Sequence, residues 1–148
     1  MPASDSQSYA GDVSSEAAWE LLTNTSEATL VDVRTAAEWA FVGIPDLGAL
    51  AKEPILAEWQ SYPSMAVDPA FAATLAGTLA ARGIGADAPV LFLCRSGVRS
   101  RAAAIALTAA GFHNCLNVAG GFEGPADGDG HRGRVDGWKA RGLPWRQS

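Results

Sequence analysis

The sequence predicts an α/β domain of three layers, a mostly parallel sheet of about five strands with helices on both faces. Strand-like and helix-like segments alternate along the chain, the pattern that builds such sheets. One unit is explicit. Val90-Leu91-Phe92-Leu93 is a short apolar run, residues 94–100 include a glycine, and residues 101–110 are alanine-rich and end at Gly111. That series reads as strand, tight loop and helix. The length, 148 residues, suits one domain with a core of ordinary size.

In order, residues 1–11 are rich in serine and small residues and read as a frayed tail, which leaves 12–145 as the single domain. Ser14 or Ser15 can cap a helix running to about Leu22, with Glu16 in its first turn and Trp19 and Leu22 on one face. Thr29-Leu30-Val31-Asp32-Val33 reads as a strand, and Thr35-Ala36-Ala37-Glu38 as a capping box opening a short helix near Trp39. Residues 46–67 form a long connection punctuated by Pro54 and Pro63, with residues 55–59 as an edge strand. Trp59, Tyr62 and Met65 either cover that sheet edge, the reading preferred here, or wall the site. Asp68 as N-cap and Pro69 at the first helical position start a helix whose apolar face is Phe71, Leu75 and Leu79. Gly83 or Gly85 stops it. Pro89 leads into the central strand, and a helix follows from about Val98 to Ala110. Residues 114–118 are the next strand, closed by a turn at Gly120-Gly121.

Composition sets bounds. Hydrophobic residues make up 48% and charged residues 18%, ordinary for a soluble globular protein. The net charge of −5 argues against bulk affinity for nucleic acid. No apolar run approaches the 18 or so residues of a membrane span, and residues 1–11 lack the pattern of a secretory signal. Two cysteines are too few for a disulfide framework. A reducing cytoplasm is the expected location, and it suits a reactive thiol.

The candidate nucleophile is Cys94, the first residue after the central strand. In open parallel sheets ligands bind at this carboxyl edge. A cysteine attacks as the thiolate, whose unperturbed pKa is about 8.5. The amides of residues 95–100 can point at the sulfur, and the following helix aims its positive end there. Arg95, Arg99 and Arg101 add positive charge, and no Asp or Glu occurs between Asp87 and Glu123 to oppose it. Gly97 admits a positive φ at little cost. These features make a small anion cup with a thiolate at its floor. The plain alternative is a buried, inert cysteine, which has no use for flanking arginines.

Cys94-Arg95-Ser96-Gly97-Val98-Arg99-Ser100 closely resembles the active-site loop of rhodanese sulfurtransferases. The resemblance implies a rhodanese-like fold and a persulfide enzyme. Cys94 would be catalytic, and Arg95, Ser96, Gly97, Val98, Arg99 and Ser100 would bind the substrate. The partners implied are a small anionic sulfur donor, thiosulfate by default, and a thiol or cyanide acceptor. No metal or organic cofactor is implied. A sulfur relay to or from another protein is the alternative. Cysteine phosphatases and arsenate reductases are less favoured, because phosphatases space the motif Cys-x5-Arg whereas Arg99 makes it Cys-x4-Arg. The shorter loop suits one sulfur better than a tetrahedral phosphate. A redox-sensing or purely anion-binding domain fits an intact nucleophile least well.

A second point of resemblance is Asp32-Val33-Arg34 followed by Glu38-Trp39, and here the expected role is structural support by Asp32, Arg34 and Glu38. The alternative is a solvated ion pair of little worth. Rhodanese domains then usually continue x-x-Gly-His-Ile-Pro-Gly-Ala. This chain keeps Ile44-Pro45, with Val42 in place of the glycine and Gly43 in place of the histidine. Gly120-Gly121 matches a turn common in the family. Residues 137–145 are similar to its C-terminal segment, with Trp138 and Leu143 as anchors. Cys115 begins a strand whereas Cys94 ends one, which puts it out of reach as a resolving cysteine. Two Cys and two His without paired spacing give little basis for zinc. Asp127-Gly128-Asp129-Gly130-His131 is read as an exposed turn, since Trp138 stands where a calcium loop needs glutamate.

Overall fold

The computed structural model of the chain describes residues 8–61 and 64–147. In chain order it contains β1 (Gly11–Val13), α1 (Ser15–Asn24), β2 (Thr29–Asp32), α2 (Ala36–Val42), β3 (Ile44–Pro45) and β4 (Ile55–Leu56). Then follow β5 (Gln60–Ser61), β6 (Ala66–Val67), α3 (Phe71–Ala81), β7 (Val90–Leu93), α4 (Val98–Ala109), β8 (Cys115–Val118), α5 (Gly137–Ala140) and β9 (Trp145–Arg146). The main sheet has the order β1-β8-β7-β2-β4, and every pairing in it is parallel. Two short antiparallel ribbons, β3 with β9 and β5 with β6, sit outside it.

Strand alternation divides the core into two layers. Val31, Val90 and Phe92 face Phe71, Leu75 and Leu79 of α3 and Ala103, Ala104 and Leu107 of α4. Leu30, Leu91 and Leu93 face Ala18 and Leu22 of α1 and Trp138 of α5. Side chains of successive strand residues point to opposite faces, so each strand feeds both layers. Burial on both sides explains the unbroken apolar runs. Each fully buried Leu or Phe contributes roughly 1.5–3 kcal/mol. The alanines of α4 let it approach β7 and β8 closely, which brings its first turn to the end of the central strand.

Local signals act where the sequence puts them. Ser14 Oγ accepts from Ala17 N–H at 3.1 Å and caps α1. Thr35 and Glu38 form a reciprocal capping box at α2. Gly83, with φ 75°, ends α3. Trp138 is fully buried, stacks edge-on against Trp19 at 5.9 Å and donates Nε1–H to Pro144 O at 2.6 Å, while Leu143 packs beside the same layer.

Several boundaries differ from expectation. The edge strand expected over 55–59 is only Ile55–Leu56, and the strand expected over 29–33 ends at Asp32. Helix α3 begins at Phe71, not at Pro69. Asp68 Oδ1 accepts from Ala70 N–H at 2.9 Å and Asp68 O from Phe71 N–H at 3.1 Å, so residues 68–70 close a turn before the helix starts. Strand β1 opens at Gly11, the last residue assigned to the tail, because its pairing with β8 orders it. Residues 1–7 of that tail lie outside the described residues.

Candidate active site

The loop after β7 delivers Cys94 to the carboxyl edge of the central strand. The cysteine is 1% exposed and forms the floor of a cleft of about 580 Å³. Arg95, Glu38, Met65, Val98 and Glu123 are among the residues around it. Gly97 N–H donates to Cys94 Sγ at 3.1 Å, and Ser100 Oγ lies 3.2 Å from the same sulfur. Gly97 is also the N-cap of α4, a helix of 12 residues, so the sulfur sits at the positive end of that helix.

Glycine at 97 has two physical reasons. Its φ is 110°, and a Cβ there would run into the carbonyl oxygen of Ala119. The chain after β8 clamps the loop from above. Phe122 N–H donates to Cys94 O at 2.8 Å, and the N–H groups of Glu123 and Gly124 both donate to Arg95 O at 3.0 Å. Gly121, φ 67°, fits because a Cβ would collide with the Arg95 carbonyl. Gly97→Ala should therefore push the loop off Ala119 and take the amide away from the sulfur. The expected cost is about 2 kcal/mol of stability, read by thermal unfolding.

The loop arginines are not equivalent. Arg99 makes a bidentate pair with Glu38, at 2.7 and 2.9 Å. The acid comes from α2, so the positive field of the loop is opposed by a residue distant in sequence. Arg95 is exposed at the cleft. Burial pushes the Glu38 carboxyl up, but hydrogen bonds from Arg99 and Thr35 outweigh it and hold it down at about 2, against an ordinary value of 4.5. A folded-state value below the unfolded one means that the unfolded chain binds more protons in between. The pair then stabilises fully above about pH 5 and loses that contribution as pH falls from 4.5 through about 2. The stability advantage of wild type over Glu38→Gln, read from urea unfolding, should be constant from pH 7 to 5 and shrink steadily below 4.5.

Beneath the loop, Arg34 and Asp32 form a fully buried pair at 2.8 and 2.5 Å. Arg34 also donates to Gly43 O at 2.7 Å and lies 4.3 Å from the centre of the Phe122 ring. Gly43, with φ 109°, is obligatory in this chain because a Cβ would strike Arg146 O and the Trp145 ring, 2.7 and 2.9 Å away. The β3–β9 ribbon thus explains the glycine that stands where the rhodanese pattern has histidine. Val42 lines the cleft.

Met65 reaches the cleft, while Trp59 covers the sheet edge by packing edge-on to Phe71 at 5.1 Å. Tyr62 lies outside the described residues. Cys115 is opposite Val90 in the β7–β8 register, four residues before Cys94. At roughly 3.3 Å per residue this is about 13 Å along the strand, well beyond the roughly 7 Å disulfide limit. Burial pushes the Cys115 thiol up, against a weaker Thr108 hydrogen bond. Asp127 Oδ1 accepts from the N–H groups of Asp129 and His131, which makes that segment a turn with His131 exposed. No group of His, Cys, Asp and Glu suited to a metal ion occurs among the described residues. Another cleft, of about 610 Å³, opens at the other end of β2, where Lys52 Nζ donates to the carbonyls of Leu22, Thr25 and Ala28. That lysine closes the end of α1.

Asn117, Asp12 and Tyr9 are the site residues that sequence reasoning missed. Ser100 Oγ–H donates to Asn117 Oδ1 at 2.6 Å, Asn117 Nδ2 donates to Asp12 Oδ1 at 3.1 Å, and Tyr9 OH donates to the same oxygen at 2.7 Å. A polar residue inside the strand pattern at 117 was the available signal.

Fold and site together define a three-layer α/β protein with a nucleophile-bearing loop at the carboxyl end of its central strand. The Rhodanese-like domain model matches residues 14–126, and the chain belongs to that family. It is 36% identical over 134 residues to the uncharacterised protein RC0915 of Rickettsia conorii, covering 90% of this chain and 95% of the relative. The crystal structure of Rv0390 from M. tuberculosis superposes with a TM-score of 0.83 at 48% identity, covering 95% of this chain and all of that one. The polysulfide-sulfur transferase homodimer of Wolinella succinogenes shares the fold, with a TM-score of 0.59 at 24% identity over 97% of this chain and 82% of that one. No helix among the described residues is long and apolar enough to cross a membrane.

Proposed function

We propose that the protein is a sulfurtransferase that carries a sulfane sulfur on Cys94. The observation that carries this reading is the Cys94 sulfur at the floor of an open cleft, 3.1 Å from the Gly97 N–H at the start of α4. The thiolate attacks the outer sulfur of a donor such as thiosulfate. A new S–S bond forms, the old one breaks, and sulfite leaves with the electron pair. The terminal sulfur of the resulting persulfide carries the negative charge toward the loop amides. Cyanide or a thiolate then attacks that sulfur, and the Cys94 thiolate is released unchanged. Arg95 and the N–H groups of Arg99 not spent on Glu38 hold the anionic donor, while Ser96, Gly97, Val98 and Ser100 shape the cup. Asp32, Arg34 and Glu38 hold it in place. No metal or organic cofactor takes part.

The working unit is a single domain, the one expected over 12–145, extended by Gly11 in β1 and Arg146 in β9. Both described cysteines are free, which suits a reducing cytoplasm. A relay of sulfur between proteins is the second reading. It is favoured by Val98, 78% exposed, and the partly exposed Met65 at the mouth of the cleft, an apolar rim with little use for thiosulfate. Thiocyanate formation from cyanide decides the donor, with thiosulfate, polysulfide and a protein persulfide compared at equal sulfane sulfur. Turnover with thiosulfate supports the first reading. Turnover only with the protein donor supports the relay, and none with any donor overturns sulfur transfer.

A further inference from the structure

A polar chain links the nucleophile to the protein surface. It begins at Cys94 and runs through Ser100 and Asn117, all buried, to Asp12 on the exposed edge strand β1, where Tyr9 joins it. Its hydrogen-bond directions are fixed from the outer end. The Asp12 carboxylate only accepts, so it orients the Asn117 amide with Nδ2 outward and Oδ1 toward Ser100. The amide oxygen also only accepts, so Ser100 gives it the one hydroxyl proton it has, at 2.6 Å. A lone pair of Ser100 is then left facing Sγ at 3.2 Å. That lone pair accepts from a thiol S–H and offers nothing to a thiolate.

We propose that Asn117, oriented by Asp12, is a positioning residue that withholds the Ser100 proton from the Cys94 thiolate. The thiolate is left with the Gly97 amide as its hydrogen-bond donor among the described residues and stays under-solvated and nucleophilic. Loading a sulfane sulfur removes the negative charge from Sγ to the outer sulfur, which relieves the unfavourable contact with the Ser100 lone pair. The inference rests on Cys94 being the reactive thiol, the group named in the functional reading above. Other charges near the sulfur are Arg99 with its partner Glu38 from α2, Asp32 with Arg34 at the end of β2, and Arg95 and Glu123 at the cleft. All of them stay in place in the variants below.

The test is the pH profile of Cys94 alkylation by iodoacetamide, followed by mass spectrometry of the Cys94 peptide. Alkylation needs no sulfane sulfur, so it reads the network whether or not the protein transfers sulfur. In Asn117→Val the Ser100 hydroxyl is free to turn its proton onto the thiolate, which favours the charged form. The profile midpoint should move about one unit to lower pH, while the plateau rate above it falls severalfold. Asp12→Asn, an exposed change that removes the fixed orientation of the amide, should move the midpoint in the same direction by less. In a Ser100→Ala background the Asn117 change should have no further effect. An unmoved midpoint in folded Asn117→Val and Asp12→Asn would overturn the proposal, as would a shift that persists without the Ser100 hydroxyl.

Discussion

Cys94→Ser is expected to lower sulfur transfer at least about 10⁴-fold, to the uncatalysed background, with the fold intact. A hydroxyl at this position cannot hold sulfur as a persulfide, and an alkoxide is far harder to form than a thiolate. The change in volume is small, so the packing under the loop survives with a stability change below about 1.5 kcal/mol. The neighbouring contacts remain available, since the Gly97 amide and Ser100 hydroxyl can both meet an oxygen. The assay is thiocyanate formation at saturating donor, paired with thermal unfolding of the same samples. Persisting turnover in a folded variant would move the chemistry to another residue.

Asp32→Ala is expected to cause the largest loss of stability among single changes at the site, about 3–5 kcal/mol. Arg34 is fully buried, and Asp32 takes two of its N–H donors as well as the Arg34 backbone N–H. Its Nη1 already lacks a partner among the described residues. Removing the carboxylate leaves a buried cation with the Gly43 carbonyl and the face of Phe122. For a chain of this size the corresponding fall in melting temperature is roughly 6–20 °C. A double change to apolar residues, Asp32→Leu with Arg34→Met, should cost less than Asp32→Ala alone, because no unpaired charge is left behind. Calorimetric scans of the two variants beside wild type check both statements.

Signals carried by neighbouring residues were legible before the structure. The cap at Ser14, the box at Thr35 and Glu38, the stop at Gly83 and the nucleophile loop each depend on a few consecutive positions. The apolar runs announced a parallel sheet, and the prolines around residues 55–56 marked an edge strand, as β4 is. Strand order was not legible, and with it went most of the outer site. Asp12 and Asn117 meet across 105 positions only because β1 pairs with β8. Glu38 and Arg99 meet across 61, and no local pattern shows that the acid neutralises a loop arginine. Gly43 departs from the family pattern for a reason found 102 and 103 residues away, in Trp145 and Arg146. Asp68 failed as a cap because the same side chain serves a turn as well as a helix, and local sequence does not decide between them.

The most direct test of the central claim is the intact mass of the protein after incubation with thiosulfate or another sulfane donor, before and after cyanide. A gain of about 32 Da, lost on adding cyanide and absent from Cys94→Ser, is the predicted result, since one sulfur is held covalently on one thiol. No gain with any sulfane donor, or a gain that survives in Cys94→Ser, would contradict it.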